Sequence, residues 1–271
     1  MVATPLGNLQ DITLRALEVL RAVEVVFAED TRRTQRLFDA YGIRARLFAL
    51  HEHNEQASAG GLIGQLEQGR PVALVSDAGT PAVSDPGARA VARVRQAGFP
   101  VVSVPGACAA VAALSVAGMH DSGFHFAGFL PPKSAARRTA LEALLAIKVP
   151  LVFYEAPHRI CDCVADLVQV LGAGRHIVFA RELTKLHEEV AAMPLGEGAA
   201  WLAADPNRQR GEYVLVVSGA EAEEGLNREH ERVLSLLLAE LPLKRAVALA
   251  VSITGAARNL LYARALELKN D

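Results

Sequence analysis

Up to about residue 220 the chain alternates two hydrophobic periods. Short β-branched runs, "VEVVFAED" (23–30), "RPVALVSDAG" (70–79) and "FPVVSVPG" (99–106), each lead into a polar or glycine-rich loop and predict strands. Between them "ITLRALEVLRA", "GGLIGQLEQG" and "GARAVARVRQAG" repeat apolar residues at helical spacing. Strand, helix, strand in succession predicts βαβ units and a mostly parallel sheet, whose ligands gather at the carboxyl ends of strands. Residues 76–87, Glu29-Asp30 and Pro105-Gly106 stand at such ends.

The rhythm breaks at "GMHDSGFHFAGFLPPKS" (118–134), where small residues, aromatics and a Pro-Pro pair predict a crossover into a second domain. Strands are expected there at "PLVFYEAP", "HIVFARELTK" and "GEYVLVVSG", with a helix at "RICDCVADLVQVLG". "EAEEG" (221–225) reads as a hydrophilic linker. Three helical segments follow, at 227–239, 243–253 and 256–268, and "ITGAA" separates the last two by a glycine turn in the manner of a helix-turn-helix. The pattern predicts domains at 1–117 and 118–220 and a helical extension at 221–271.

Composition narrows the picture. The chain has 271 residues, 51% hydrophobic and 21% charged, as expected of an ordinary globular protein rather than a disordered one. No apolar run approaches the roughly 18–20 residues of a membrane span, and "MVATPLGN" lacks the basic start and apolar stretch of a signal peptide. Three cysteines suit a reducing cytoplasm. The net charge of −2 excludes a uniformly basic nucleic-acid coat and leaves room for local basic patches.

The loop "SDAGTPAVSDPG" carries two aspartates and no cation, so it repels phosphate and is unlike a nucleotide-triphosphate cradle. Carboxylates there welcome a ribose diol, an amine or a sulfonium, and S-adenosylmethionine presents all three. Asp85 ahead of Pro86 fits a helix N-cap with proline at the first helical position. Asp77, with no helix starting beside it, is the residue expected to touch the ligand. "ATPLGNLQDIT" lacks the G-x-G-x-x-G of a Rossmann cofactor site, so such a cofactor needs another fold. Metal chemistry is not expected: Cys161-x-Cys163 on a helix points its thiols apart, and His51-x-His53 has no matching pair.

"ATPLGNLQDIT", "AEDTRRT", "SDAGTPAVSDPG", "VPGACAAVAAL", "FAGFLP", "YEAPHR", "ARELTK" and "GEYVLVV" occur in that order. Together they resemble the tetrapyrrole methylase superfamily, and within it the branch that methylates small-subunit ribosomal RNA. The resemblance implies two α/β domains with the cofactor in the cleft between them, a homodimer, and a helix-turn-helix extension. It implies methyl transfer from S-adenosylmethionine to the ribose 2′-hydroxyl of a cytidine in the small ribosomal subunit. Family members usually carry a few more residues before "VATP", so the resemblance implies either a short first strand or a start that is missing from the sequence. Matched by motif, Leu6, Asp77, Thr80, Cys108 and Ala109 are expected at the cofactor, closed over by Tyr154 and Ala180.

A ribose hydroxyl is a poor nucleophile near neutral pH, so a base or cation near it is required. The polar residues at strand ends that fit are Glu29, Asp30 and Arg32, then Glu155, His158 and Arg159, then Arg181, Glu182 and Lys185. Of these Glu182, Lys185 and Glu155 are the expected catalytic set, while Glu29 and Asp30 also suit a helix cap. Arg32, Arg33 and Arg36 on one helix, and Lys133, Arg137 and Arg138 after the Pro-Pro pair, are the expected RNA phosphate contacts, joined by His158 and Arg159. Two other readings remain open: a methylase of a small, tetrapyrrole-type acceptor, and a ribosome-binding module without turnover.

Overall fold

The computed structural model describes residues 1–51, 55–119, 123–220, 226 and 228–270. The expected linker 221–225, part of the expected crossover (120–122) and His53 lie outside the described residues. Two compact units are present, Met1–Ala220 and Glu221–Asp271.

The first unit begins with α1 (Leu14–Ala22), β1 (Val25–Ala28), α2 (Thr31–Tyr41), β2 (Arg46–Ala49), α3 (Glu55–Glu67), β3 (Val72–Val75), α4 (Ala88–Gln96) and α5 (Ala109–Val116). It continues with β4 (His125–Phe129), α6 (Ser134–Glu142), β5 (Leu151–Glu155), α7 (Ile160–Leu171), β6 (His176–Arg181), β7 (Glu189–Pro194), α8 (Gly198–Ala204) and β8 (Tyr213–Val217).

The first sheet, in order β2-β1-β3, is parallel throughout. Alternate residues of β1 go to opposite faces: Val26 and Ala28 meet Ala16, Leu20 and Phe38 of α1 and α2, while Val25 and Phe27 meet Leu62 and Val94 of α3 and α4. Both faces are covered, which is why β1 is an unbroken apolar run. Each fully buried side chain of this size stabilises the fold by about 1.5–3 kcal/mol. The strand expected at 99–106 is only a bridge, Val104 to Val2, because Pro100 and Pro105 lack the N–H groups that a ladder requires. Val2 in turn donates from its amide to the Leu74 carbonyl at 2.9 Å, so residues 2–4 lie along β3.

The second sheet, β4-β5-β8-β6-β7, corrects the expectation of parallel pairing. Only β4 and β5 run parallel; the β5–β8, β8–β6 and β6–β7 pairs are antiparallel. One face packs on α6, α7 and α8 through Leu141, Val164, Leu167 and Leu202. The other receives α5, whose Ala110 and Ala113 let the helix approach Val152, Ala180 and Val214 closely. α5 precedes the boundary expected at 117, yet it packs on this second sheet. β2, β4 and β7 were not legible as strands. All three are edges, and β4, read as part of a crossover, is broken by a bulge at Gly128, which has φ +65°.

The second unit contains α9 (Arg228–Glu240), α10 (Leu243–Thr254) and α11 (Arg258–Asn270), close to the three predicted segments. Leu234, Val247, Ala250, Leu261 and Ala265 form its own small core. Gly255 ends α10 in the left-handed conformation, φ +70°, that glycine adopts without steric cost.

Candidate active site

The carboxyl ends of β3, β4, β5 and β6 and the start of β8 surround one cavity of about 320 Å³, a size suited to a small ligand. Leu6, Thr80, Cys108, Ala109, Tyr154 and Ala180, six of the seven expected cofactor residues, line it. Gly79 turns the chain here at φ +83°, and a Cβ on it would stand 3.2 Å from Leu6 Cδ2. Thr80 Oγ1 donates to the Ala107 carbonyl at 3.0 Å and ties the β3 loop to the start of α5. The Tyr154 hydroxyl accepts from the Ala110 amide at 3.0 Å; burial, with Cys108 beside it, pushes the phenol well above its ordinary range. Phe126 and Phe129 both meet the Tyr154 ring edge-on, with centroids 5.0 and 5.7 Å away.

Asp77, the seventh, is not in the lining. Its Oδ1 accepts from the Asp30 amide at 2.8 Å, its Oδ2 lies 3.5 Å from Arg33 Nε, and its own amide donates to Glu29 at 3.4 Å. It therefore clasps the β1 loop to the β3 loop. Asp85 takes the place at the cavity instead. Helix α4 starts only at Ala88, with Gly87 before it and no side-chain cap, so the capping role expected of Asp85 is not filled. Burial, then the nearby charge of Glu29, pushes the Asp85 carboxyl up to about 6, against the Ser76 hydrogen bond.

The expected catalytic set is divided. Lys185 lines the cavity, its ammonium held by Glu182 Oε1 at 2.8 Å and by Glu212 Oε2 at 2.9 Å. Burial lowers the affinity of Lys185 for its proton, but the two carboxylates outweigh it and the net shift is upward. Glu182 shifts down: burial opposes this, and the bonds from Lys185 and the Glu212 amide prevail. Glu155 also borders the cavity, but as a paired group rather than a free one. Its side chain is fully buried and engaged by Arg159 at 3.1 Å and by the Ala156 amide at 2.8 Å.

The expected phosphate contacts also divide. Arg137 is buried, 2% exposed, with Nε 2.7 Å from Asp166, so it is a core ion pair rather than an RNA contact. Arg159 donates to the Leu130 carbonyl at 2.6 Å and pairs with Glu155, so it too is held inside. Arg138 is half-exposed and bonds Gln169 at 3.0 Å; Lys133 and His158 are exposed. Arg32 is exposed but bound to Asp30, which caps α2 and is held well below the usual carboxylate range by that guanidinium. Arg181, another strand-end candidate, is buried and donates to the Arg210 and His187 carbonyls.

Backbone conformation carries a signal that residue types did not. Among the described residues the only non-glycine positions with positive φ are Ala82, Ser84, Glu182 and Thr184. They flank the lining residues Val83, Asp85, Leu183 and Lys185, and such strain is characteristic of functional loops. S-adenosylmethionine fits what is present: small residues admit a flat ring and thin tail, and the uncompensated Asp85 carboxylate favours a cation.

The fold is that of a class of methyltransferases. The sequence model described as Tetrapyrrole (Corrin/Porphyrin) Methylases matches residues 1–199, and that described as RsmI C-terminal HTH domain matches residues 224–269. A relative from Escherichia coli O157:H7, called ribosomal RNA small subunit methyltransferase I, is 53% identical, over 98% of this chain and 94% of that one. Its namesake from Pseudomonas aeruginosa is 52% identical, over 98% and 96%. Uroporphyrin-III C-methyl transferase from Thermus thermophilus, solved with S-adenosyl homocysteine, shares the fold at TM-score 0.57 and 18% identity, over 80% of this chain and 95% of that one. The chain therefore belongs to the tetrapyrrole methylases, in the family of ribosomal RNA small subunit methyltransferase I.

Proposed function

We propose that the chain transfers a methyl group from S-adenosylmethionine to the ribose 2′-hydroxyl of a cytidine in small-subunit ribosomal RNA. The observation that carries the proposal is a cavity lined by six of the seven motif-matched cofactor residues, in a chain about half identical to relatives of that name over nearly its whole length. When bound, S-adenosylmethionine supplies a methyl group already activated on a sulfonium.

The chain's own residues align, shield and handle the proton. Leu6, Ala109 and Ala180 offer a close apolar wall, and Tyr154 holds the start of α5 against it. Lys185, fixed by Glu182 and Glu212, keeps its charge at neutral pH and is placed to stabilise a developing oxyanion or a neighbouring phosphate. Phe129, half-exposed at the rim, offers a face on which a base can stack. Lys133, Arg138, Arg32 and His158 remain the RNA contacts of this reading; α9–α11 add exposed cations, including Lys244 and Arg258, for docking the subunit.

Exposed Val111 and Val116 on α5, with Leu186 92% exposed, provide apolar surface for the second copy of a homodimer. No helix of the described residues is long and apolar enough to cross a membrane, in keeping with work on ribosomal subunits in the cytoplasm. Incubation with labelled cofactor and undermethylated small subunits tests the proposal, with the product nucleoside digested and identified. 2′-O-methylcytidine is expected. Label in another nucleoside, in a tetrapyrrole-type acceptor only, or nowhere would overturn it.

A further inference from the structure

Three carboxylates line the cavity: Asp85, Glu155 and Glu212. Glu155 is closed off by Arg159 and Glu212 faces Lys185. Asp85 has no cationic partner among the described residues. What faces it is acidic or neutral. Glu29 follows β1, Asp77 and the Ser76 hydroxyl follow β3, and Tyr154 stands on β5. The cations of this region are engaged by other acids: Arg33 on α2 lies 3.5 Å from Asp77, and Lys185, also in the cavity lining, is held by Glu182 and Glu212.

The backbone aims this carboxylate. Ala82 at φ +68° and Ser84 at φ +61° are both left-handed without being glycine, a conformation that persists only where surroundings enforce it. Those surroundings are visible. The Val83 amide donates to the Thr80 carbonyl at 3.3 Å, Thr80 is tied to Ala107, and Ser84 lies against the Gly128 bulge, where a Cβ would approach its hydroxyl to 3.0 Å. A loop with only capping or turn duty has no need of two strained residues in three.

We propose that Asp85 is the general base of methyl transfer, accepting the proton of the substrate hydroxyl. The assignment rests on the reading that a hydroxyl is methylated. Asp85 takes the proton while the hydroxyl oxygen bonds to the methyl carbon; the sulfur–methyl bond breaks, and its electron pair returns to sulfur. The positive charge on sulfur and the negative charge on Asp85 disappear together, leaving a neutral thioether and a carboxylic acid that then releases its proton to water. A carboxyl already pushed up to about 6 is a better acceptor than an ordinary one and is still ionised near neutral pH.

Full-length Asp85→Asn tests this, with Asp85→Ala as a second variant and melting curves to verify folding. Single-turnover transfer to undermethylated small subunits is measured from pH 5 to 8.5 with both ligands saturating, beside calorimetry with S-adenosylhomocysteine. The expected result has three parts: S-adenosylhomocysteine affinity within about threefold of wild type, a rate reduced at least 100-fold, and loss of the wild-type acid limb near pH 6 (a general base contributes ~10²–10⁴). A variant rate within about fivefold of wild type would overturn the assignment alone. So would an affinity loss of tenfold or more with the saturated rate intact, which would make Asp85 a cofactor contact. A wild-type protein that binds S-adenosylhomocysteine yet methylates no subunit would overturn the functional reading and this assignment together.

Discussion

The two sheets treat buried charge in opposite ways. Around the loops of the first sheet, Glu29, Asp77 and Asp85 crowd one another, and the carboxyls of Glu29 and Asp85 are both raised, first by burial and then by neighbouring acid. Beneath the second sheet each buried acid meets an arginine: Asp166 meets Arg137 at 2.7 Å and Glu155 meets Arg159 at 3.1 Å. Satisfied pairs make a rigid wall. An acid without a cation, as Asp85 is among the described residues, leaves charge available for a ligand or a proton, at some cost to stability. The comparison separates residues that build the site from residues that act in it, although both groups look alike as polar letters at strand ends.

Breaking the paired side should give the largest effect. Asp166→Ala leaves Arg137 buried without its carboxylate, and also strips Ser134 of its 2.9 Å bond. A loss of about 3–5 kcal/mol is expected in urea unfolding, the scale for a buried pair with one partner removed. A loss under about 1 kcal/mol would mean that α6 and α7 do not depend on this pair.

Lys185→Ala comes next, because Lys185 belongs to the second sheet yet faces the cavity. Single-turnover methylation at saturating ligands should fall roughly 10–100-fold, less than the removal of a full oxyanion donor, with melting temperature little changed. Glu182→Gln should follow in the same direction with a smaller loss, since Glu212 still holds the ammonium.

Asp85→Asn sharpens the other side of the comparison through stability. A carboxyl raised to about 6 from 3.8 makes the folded state bind more protons than the unfolded one between those values. Wild-type stability therefore falls as pH rises through that window and stays lowered above it. The asparagine variant removes the penalty, so it should be more stable than wild type above pH 6, by on the order of 1 kcal/mol after allowance for solvent screening. The gain should vanish below about pH 4. A variant equally stable with wild type at pH 7.5 and pH 4 would count against the unpaired state of Asp85.

The smallest effect is expected at Asp77. Since its carboxylate binds the Asp30 amide and Arg33 rather than the cavity, Asp77→Ala should change S-adenosylhomocysteine affinity by less than about threefold. Stability should fall by about 1 kcal/mol, the scale of the lost loop contacts. A tenfold weaker affinity in calorimetry would restore the role its sequence position suggests.

Much was legible from letters alone. β1 and β3 announced themselves because sheets covered on both faces demand continuous apolar runs, and α9, α10 and α11 because helices around a small core repeat every three to four residues. The family resemblance, matched motif by motif, pointed to Leu6, Thr80, Cys108, Ala109, Tyr154 and Ala180, and the fold brings these six around one cavity. Direction and partnership were not legible. Whether β5 meets its neighbours parallel or antiparallel depends on where β8 inserts, which is a long-range pairing. Asp77 and Asp85 sit eight residues apart in one acidic loop, and only the left-handed turns at Ala82 and Ser84 decide which of them reaches the cavity. Arg137 and Arg138 are adjacent letters of equal charge, and helical rotation buries one against Asp166 while leaving the other half-exposed. Local propensity follows from the order of residues; which charge finds which partner follows from tertiary packing, because burial and distance set the strength of every electrostatic contact.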